Sequence, residues 1–292
     1  MATSPIGRPA AVTCREISES DRSALIDLLT RAYAPLRGRA FWARAVDHLG
    51  GRTPPPGFPR FGYVLESGAR LVGALLVIAS APNGDAIRCN VSSWYVEPEF
   101  QPYGALLVNR VLARRDATYL NITPAPHTWR LLAAQGCTRH LDGRAVTVPA
   151  LARPRARVTR ISLIDPQRPP PPGLPAVEAQ LLLDHARWGC LALLCQTAAE
   201  PLPFVFSLRS WRGTVPIAYL IYCRRLDDLT ACAAPIGRAL LRRGALLLIA
   251  DSGRPLPSIP GRFLPGYPHF SKGPNPPQPG DLAYTERAVF GV

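Results

Sequence analysis

Lysine is nearly absent from this chain. Of its 34 basic side chains only Lys272 is a lysine, so the formal net charge of +14 is carried almost wholly by guanidinium groups. A bias this complete reads as coding composition rather than as a designed basic face. Arginine nevertheless binds phosphate well, because its planar fork donates paired hydrogen bonds. The surplus attracts anions such as nucleotides, CoA, nucleic acid or lipid headgroups. Arginine is spread through both halves, not gathered on one face with aromatic platforms, so no specific nucleic acid is expected.

Paired cysteines are missing too. Cys14, Cys89, Cys137, Cys190, Cys195, Cys223 and Cys232 include no C-x-x-C and are odd in number. That argues against a disulfide framework, and no metal site is expected. Several sit in apolar runs, as in Leu193-Leu194-Cys195, and fit small buried thiols in a reducing compartment. Apolar runs such as Leu71 to Ala81 are too short to span a bilayer. The opening residues lack the apolar core of a signal peptide, so a cytoplasmic location is expected. The signatures G-x-x-x-x-G-K-[ST], G-x-S-x-G and H-E-x-x-H are all absent. Their absence argues against a P-loop, a serine-hydrolase elbow and a zinc protease.

What is present is a chain of 292 residues, 47% of them hydrophobic, with 33 prolines. The apolar content allows a buried core, and the length allows two modest domains. The pattern predicts a strand over 12–17, helices over 21–33 and 41–49, and strands over 61–66 and 71–80 joined by a tight turn at Ser67-Gly68-Ala69. A turn at Pro82 to Asp85, a strand over 87–96, a helix over 104–115 and a strand over 118–122 follow. Thr123-Pro124 predicts an N-cap for a helix ending at Gly136. Asp142-Gly143 predicts a hairpin within 137–148. The proline-rich stretch 149–175 reads as a linker, inside which Ile161 to Ile164 could pair as an edge strand.

The second half repeats the order. It predicts helices over 176–186 and 235–243, strands over 190–197, 203–208, 217–223 and 245–251, an irregular stretch over 252–280, and a closing strand over 283–290. Arg110 to Leu120 and Arg238 to Leu248 echo each other, each leaving a helix and entering a strand. The expected division is a disordered terminus at 1–11, a first domain at 12–148, the linker at 149–175 and a second half at 176–292.

The stretch Ser93-Trp-Tyr-Val96-Glu-Pro-Glu-Phe-Gln101-Pro-Tyr-Gly104-Ala-Leu resembles the strand-to-helix loop of the GNAT acetyltransferases. There an aliphatic strand and a Pro-Glu turn precede Arg/Gln-x-x-Gly-x-Gly/Ala. The tail from Asn121-Ile-Thr-Pro to Leu131-Leu-Ala-Ala-Gln-Gly136-Cys137 resembles the last helix of that family. The resemblance covers residues near 12 to 148. It implies an α/β fold with a mixed, mostly antiparallel sheet flanked by helices, in two tandem halves of which the second is degenerate. It also implies acetyl-CoA or another acyl-CoA as co-substrate, an amine or hydroxyl acceptor of small-molecule or peptide type, and acyl transfer. A catalytically silent acyl-CoA-binding or scaffold protein is the competing reading, and an Arg-rich module binding anions or nucleic acid is the third.

The physical chemistry of the loop agrees. A strand ending at Val96 and a helix starting at Gly104 would aim unpaired amides, backed by a helix dipole, at a pyrophosphate. Gln101, Tyr103, Gly104 and Ala105 are therefore expected to bind the cofactor, and Val96 is expected to offer it backbone groups where the strands splay. Tyr95 and Asn121, on the segments that resemble the family, complete the expected cofactor-binding residues. His127, Tyr95 and Ser93 are the expected catalytic ones, His127 because an imidazole titrates in the right range for a proton acceptor. Two departures stand out. The last Gly/Ala of the loop is Leu106. The places of the family's CoA-contacting Asn and thiolate-protonating Tyr hold Ala125 and Leu132. In the second half, Arg224 to Ala234 stands where a phosphate loop would be expected.

Overall fold

The computed structural model describes residues 11–82, 86–170, 172–211, 213 and 215–291. Most of the expected terminus at 1–11 and the turn at Asn83-Gly84-Asp85 lie outside the described residues. The chain divides into two units, one containing residues up to Ala79 with Val91–Arg115, the other Ser80–Asn90 with everything from Asp116 onward.

In the first unit β1 (Val12–Glu16) pairs antiparallel with β2 (Gly62–Ser67), and β2 with β3 (Arg70–Ser80). The second part of β4 (Ile87–Val96) lies beside β3. Two helices intervene, α1 (Arg22–Tyr33) and α2 (Arg39–Gly50). They bury Leu25, Leu28 and Leu29 of α1 and Trp42, Val46 and Leu49 of α2, the residues a 3.6-residue period puts on one face. Arg15 fastens β1 to both neighbours. Its guanidinium donates to Asp21, at the mouth of α1, at 2.7 and 2.9 Å, and to Glu66 on β2 at 2.7 Å. A 3-10 turn (Pro98–Tyr103) and α3 (Gly104–Val111) complete this unit.

The second unit is built on a sheet. Its strands run from the first residues of β4 through β5 (Ala117–Asn121), β12 (Gly261–Lys272), β6 (Thr138–Thr147), β11 (Leu247–Asp251), β10 (Val215–Cys223), β9 (Pro201–Trp211) and β8 (Leu191–Thr197) to β7 (Val158–Leu163). Helices α4 (Trp129–Ala134), α5 (Ala176–Arg187), α6 (Leu226–Ala231), α7 (Ala233–Leu241) and α8 (Glu286–Val289) flank it. Ile87–Asn90 pairs parallel with β5, and Ile217–Tyr219 pairs parallel with β11; the other registered pairings are antiparallel. The two echoing segments behave alike. Residues 112–116 separate α3 from β5, and 242–246 separate α7 from β11, five in each case.

The strand order interleaves the two halves of the sequence. β12, from the end of the chain, lies between β5 and β6, and β6 in turn lies against β11. This corrects two expectations. The stretch 252–280 is not irregular, because it contains the twelve residues of β12. Its prolines hid it: Pro265 and Pro268 flank a register shift, where the ladder already loses its hydrogen bonds. There is also no hairpin at Asp142-Gly143, which runs straight through β6. Gly143 serves close approach instead. It has φ 153°, and a Cβ there would overlap the Phe263 ring of β12.

Three smaller expectations also change. The closing strand over 283–290 is replaced by α8, with Thr285 before it. The residue before the turn that leads into α4 is Ala125 rather than Thr123. The expected linker carries β7, the edge strand anticipated inside it, paired with β8. Gly237 on α7 lets that helix approach closely, since a Cβ there would overlap the backbone of Pro149 and Ala150. The sole lysine caps α4: Lys272 Nζ donates to the Gln135 carbonyl at 2.7 Å.

At the heart of the second unit lies a buried charge network centred on Asp251, 3% exposed at the end of β11. Tyr219 Oη donates to its Oδ1 at 2.8 Å, and His269 Nε2 lies 3.1 Å from Oδ2. Arg144 and Arg287 form ion pairs with it at 3.3 and 3.4 Å. Burial pushes this carboxyl up, but Arg287, His269 and Arg144 together hold it well below the usual carboxylate range. His140 on β6 stands beside His269, ring centroids 5.9 Å apart, and its Nδ1 is buried without a hydrogen-bond partner.

Two predictions follow from the core. Gly143→Ala should destabilise the protein by about 2–3 kcal/mol through overpacking and backbone strain, read as a lower denaturant midpoint. Burial, and then His269, push the His140 imidazole down to about 4. The unfolded chain therefore takes up a proton at this site from about pH 6.5 downward while the folded chain does not. Stability should fall as pH drops from about 6.5 towards 5, above the range where Asp251 contributes. His140→Gln should flatten that slope in pH-dependent thermal melts; an unchanged slope would contradict the assignment.

Candidate functional site

Seven of the expected site residues, Ser93, Tyr95, Val96, Gln101, Tyr103, Gly104 and Ala105, share one continuous segment of the first unit, from β4 through the 3-10 turn into α3. Ser93 departs most from ordinary strand geometry. It has φ 54° in the middle of β4, a left-handed conformation that costs a non-glycine residue about 1–2 kcal/mol. Its Oγ lies 3.2 Å from that of Ser92. The indole Nε1 of Trp94, the next residue, is buried without a hydrogen-bond partner. Val96 ends β4, and Glu97 then fixes the turn. Its amide donates to the Val72 carbonyl at 2.9 Å, and its carboxylate pairs with Arg31 of α1 at 3.5 Å and Arg70 of β3 at 3.1 Å. Nothing in the spacing around Glu97 signals this double anchor.

The loop itself corrects one expectation. Helical structure begins at Pro98, not at Gly104. The Phe100 amide already donates to the Glu97 carbonyl at 2.9 Å, and the Gly104 amide to the Gln101 carbonyl. The amides bracketing Gln101 are thus not an open row of free donors. Gly104 is buried, with Trp94 and Val96 at ordinary contact distance from where its Cβ would be. Gln101, Tyr103 and Ala105 are exposed. Leu106, in place of the family's small residue, is 41% exposed and so projects outward instead of packing inward.

The remaining two expected residues belong to the second unit. Asn121 ends β5 and pairs in register with Phe270 of β12. His127 is exposed in the 3-10 turn Pro126–Thr128 that precedes α4. The family's Tyr position is filled by Leu132, buried in α4.

A pair that the sequence reading passed over lies in this second unit. Thr123, exposed two residues beyond β5, donates its hydroxyl to Glu286 Oε1 at 2.7 Å. Glu286 is 1% exposed, and its Oε2 has no hydrogen-bond partner. Its amide donates to Asn90 Oδ1 at 2.9 Å. Asn90 is the last β4 residue in register with β5. Burial raises the Glu286 carboxyl above its ordinary value, against the lowering influence of Thr123, Arg287 and Asn90. The one sequence signal was the charged pair Glu286-Arg287 inside an otherwise apolar terminal run.

The corresponding place in the second half is filled by the chain itself. Beyond Tyr219, where β10 leaves its parallel register with β11, the Leu282 amide donates to the Ile221 carbonyl at 2.8 Å. The Cys223 amide donates to the Gly280 carbonyl at 2.9 Å. Tyr222 and Asp281 form a bridge between these bonds. The stretch 224–234 holds α6 and the start of α7 rather than a phosphate loop. Arg224 at its head is spent on Glu178, at 2.6 and 2.8 Å, and on Glu200.

By sequence the chain matches no family model and no curated protein. By structure it is similar to a putative acetyltransferase from Pyrococcus horikoshii at 12% identity, over 94% of this chain and 93% of that one, with a TM-score of 0.57. A GCN5-related N-acetyltransferase from Kribbella flavida is similar at 13% identity over 90% of this chain and 71% of that one, TM-score 0.57. A tandem GNAT protein from the clavulanic acid biosynthesis pathway is similar at 15% identity over 91% of this chain and all (100%) of that one, TM-score 0.53. The chain thus has the fold of the GCN5-related N-acetyltransferases, carried in two halves.

Proposed function

We propose that this protein moves an acyl group from acetyl-CoA or another acyl-CoA to an amine or hydroxyl acceptor, using residues 12–148 as the cofactor-binding half. The observation that carries the reading is Ser93, left-handed in the middle of β4. Strained non-glycine residues persist where the surrounding structure enforces them, and they cluster at functional sites. Such a residue inside a strand rotates its flanking peptide planes out of the ladder, which is a way to present an N–H to a thioester carbonyl. Val96 and the turn after it would follow the pantetheine and diphosphate. The turn's amides are held in i→i+3 bonds of poorer geometry, which charged diphosphate oxygens can replace as acceptors.

In the same reading, residues 149–175 connect to a second half, 176–292, that no longer binds cofactor. Its β10 edge is hydrogen-bonded to residues 280–282. Free, mostly buried cysteines favour a reducing, cytoplasmic setting. Among the described residues no helix is long and apolar enough to cross a membrane. A second reading, an acyl-CoA-binding protein without turnover, is favoured by Leu132, which cannot protonate a thiolate.

Thermal melts with CoA and acetyl-CoA test the proposal. Ligand at a hundred times its Kd should add about 2.7 kcal/mol of stability, visible as a clear rise in Tm. No shift with either compound at millimolar concentration would end the reading. Leu106→Ala should tighten CoA binding several-fold, about 1 kcal/mol, by clearing the exposed side chain from the diphosphate. Binding without thiol release across amines and alcohols would select the silent reading.

A further inference from the structure

The N-terminal half contains one registered parallel strand pair, Ile87–Asn90 with Ala117–Leu120. In α/β sheets the crevice beyond the carboxyl ends of parallel strands is where ligands bind, because backbone groups there leave the ladder and loops converge. Two side chains meet at that end. Thr123, an exposed residue just past β5, donates its hydroxyl to the buried Glu286. Glu286 comes from the far end of the chain, and its backbone amide donates to Asn90 Oδ1 at the last β4 residue in register. Leu282, just before it, packs with Leu120 and Ile122 and fixes the approach of this segment.

We propose that Thr123 and Glu286 form a proton relay for the acyl transfer described above, with Thr123 touching the acceptor and Glu286 receiving the proton. The inference rests on that acyl-transfer reading. As the acceptor nitrogen or oxygen attacks the thioester carbonyl, its proton passes to Thr123 Oγ while the threonine proton passes to Glu286 Oε1. The new C–N or C–O bond forms and the C–S bond breaks with its electron pair on sulfur. The thiolate then takes a proton from solvent, and Glu286 returns its own to solvent through Thr123.

Three features suit the pair to this work. Thr123 is an exposed residue while Glu286 is buried, so the threonine is the residue an acceptor can reach. Oε1 already accepts the hydroxyl proton in a short bond, and Oε2 has no partner to compete for it. The groups facing the carboxylate are neutral on two sides, Asn90 from β4 and Thr123 from the loop after β5. The charged one is Arg287, next on α8, and burial outweighs it. A carboxyl raised in this way is better matched to accepting a proton near neutrality than one at the ordinary value. A purely structural pair would be indifferent to the hydroxyl's chemistry.

The test uses the full chain, with acetyl-CoA as donor and water, primary amines and alcohols as acceptors, following release of the CoA thiol. Thr123→Val should lower kcat about 100-fold, with KM for acetyl-CoA within about 2-fold, and Thr123→Ser should restore most of the rate. In the wild type the rate should fall as pH drops through the raised Glu286 pKa, since the base must be ionised; Glu286→Gln should remove that acid limb. Melts check folding, and the Val/Ser pair at an exposed site decides the matter if Glu286→Gln fails to fold. Variants that match wild-type kcat and pH profile would overturn the relay alone. Wild-type protein that binds acetyl-CoA but releases no thiol to any acceptor would overturn the relay and leave cofactor binding standing. Wild-type protein that does not bind acetyl-CoA would overturn the acyl-transfer reading itself, and the relay with it.

Discussion

β12 sits between β5 and β6, and β6 sits against β11, so each half of the sequence completes its sheet with a strand from the other. Neither β5 nor β11 has its sequence-order successor as neighbour. The backbone donors of β5 along this edge are satisfied by residues some 150 positions later, Phe270 opposite Asn121 and Lys272 opposite Tyr119. A buried strand edge left unpaired costs heavily in unsatisfied amides. The loop closure needed to bring in a distant strand grows only with the logarithm of the intervening length. Exchange is therefore affordable, and it ties the folding of the second half to the first.

The same crossing brings the end of the chain back to the first parallel pair. After leaving β12, the chain hydrogen-bonds along β10 at Gly280 and Leu282, and Asp281 pairs with Arg88 of β4 at 2.5 Å. Glu286 then meets Asn90 and Thr123. One short segment thus closes the β10 edge in one half and supplies a carboxylate to the end of the β4–β5 pair in the other. A β10 edge without that segment would leave the Ile221 carbonyl and the Cys223 amide without these partners.

Much of this was legible beforehand. The apolar periods placed α1, α2, α5 and α7 correctly, and alternating or continuous apolar runs placed the strands from β1 to β5 and from β8 to β11. The echo between Arg110–Leu120 and Arg238–Leu248 marked two equivalent helix-to-strand passages with equal connections. Two of the failures share a cause. The Asp142-Gly143 pattern reads as a hairpin, whereas Gly143 makes room for Phe263, and the stretch 252–280 reads as irregular, whereas Pro265 and Pro268 flank a register shift inside β12. Both readings treated as local a residue whose role is set by a strand more than 100 positions away. The loop at Gln101 was recognisable by pattern, but its amides are already committed to a turn that begins at Pro98. Thr123–Glu286 left no spacing signal at all.

Asp251 and Glu286 are two buried carboxyls whose surroundings move their proton affinities in opposite directions. Asp251 meets a tyrosine, a histidine and two guanidinium groups, and their sum keeps it ionised at any ordinary pH. Such a group is fixed charge and is poorly suited to accepting a proton. Glu286 meets a hydroxyl and an amide, and its one cationic neighbour, Arg287, forms its ion pair with Asp251. Burial then dominates and moves its affinity for a proton in the opposite direction. Environments that drive two carboxyls apart separate a structural role from a chemical one. Here adjacent residues take opposite partners: Arg287 forms its ion pair with Asp251, and Glu286 accepts the Thr123 hydroxyl.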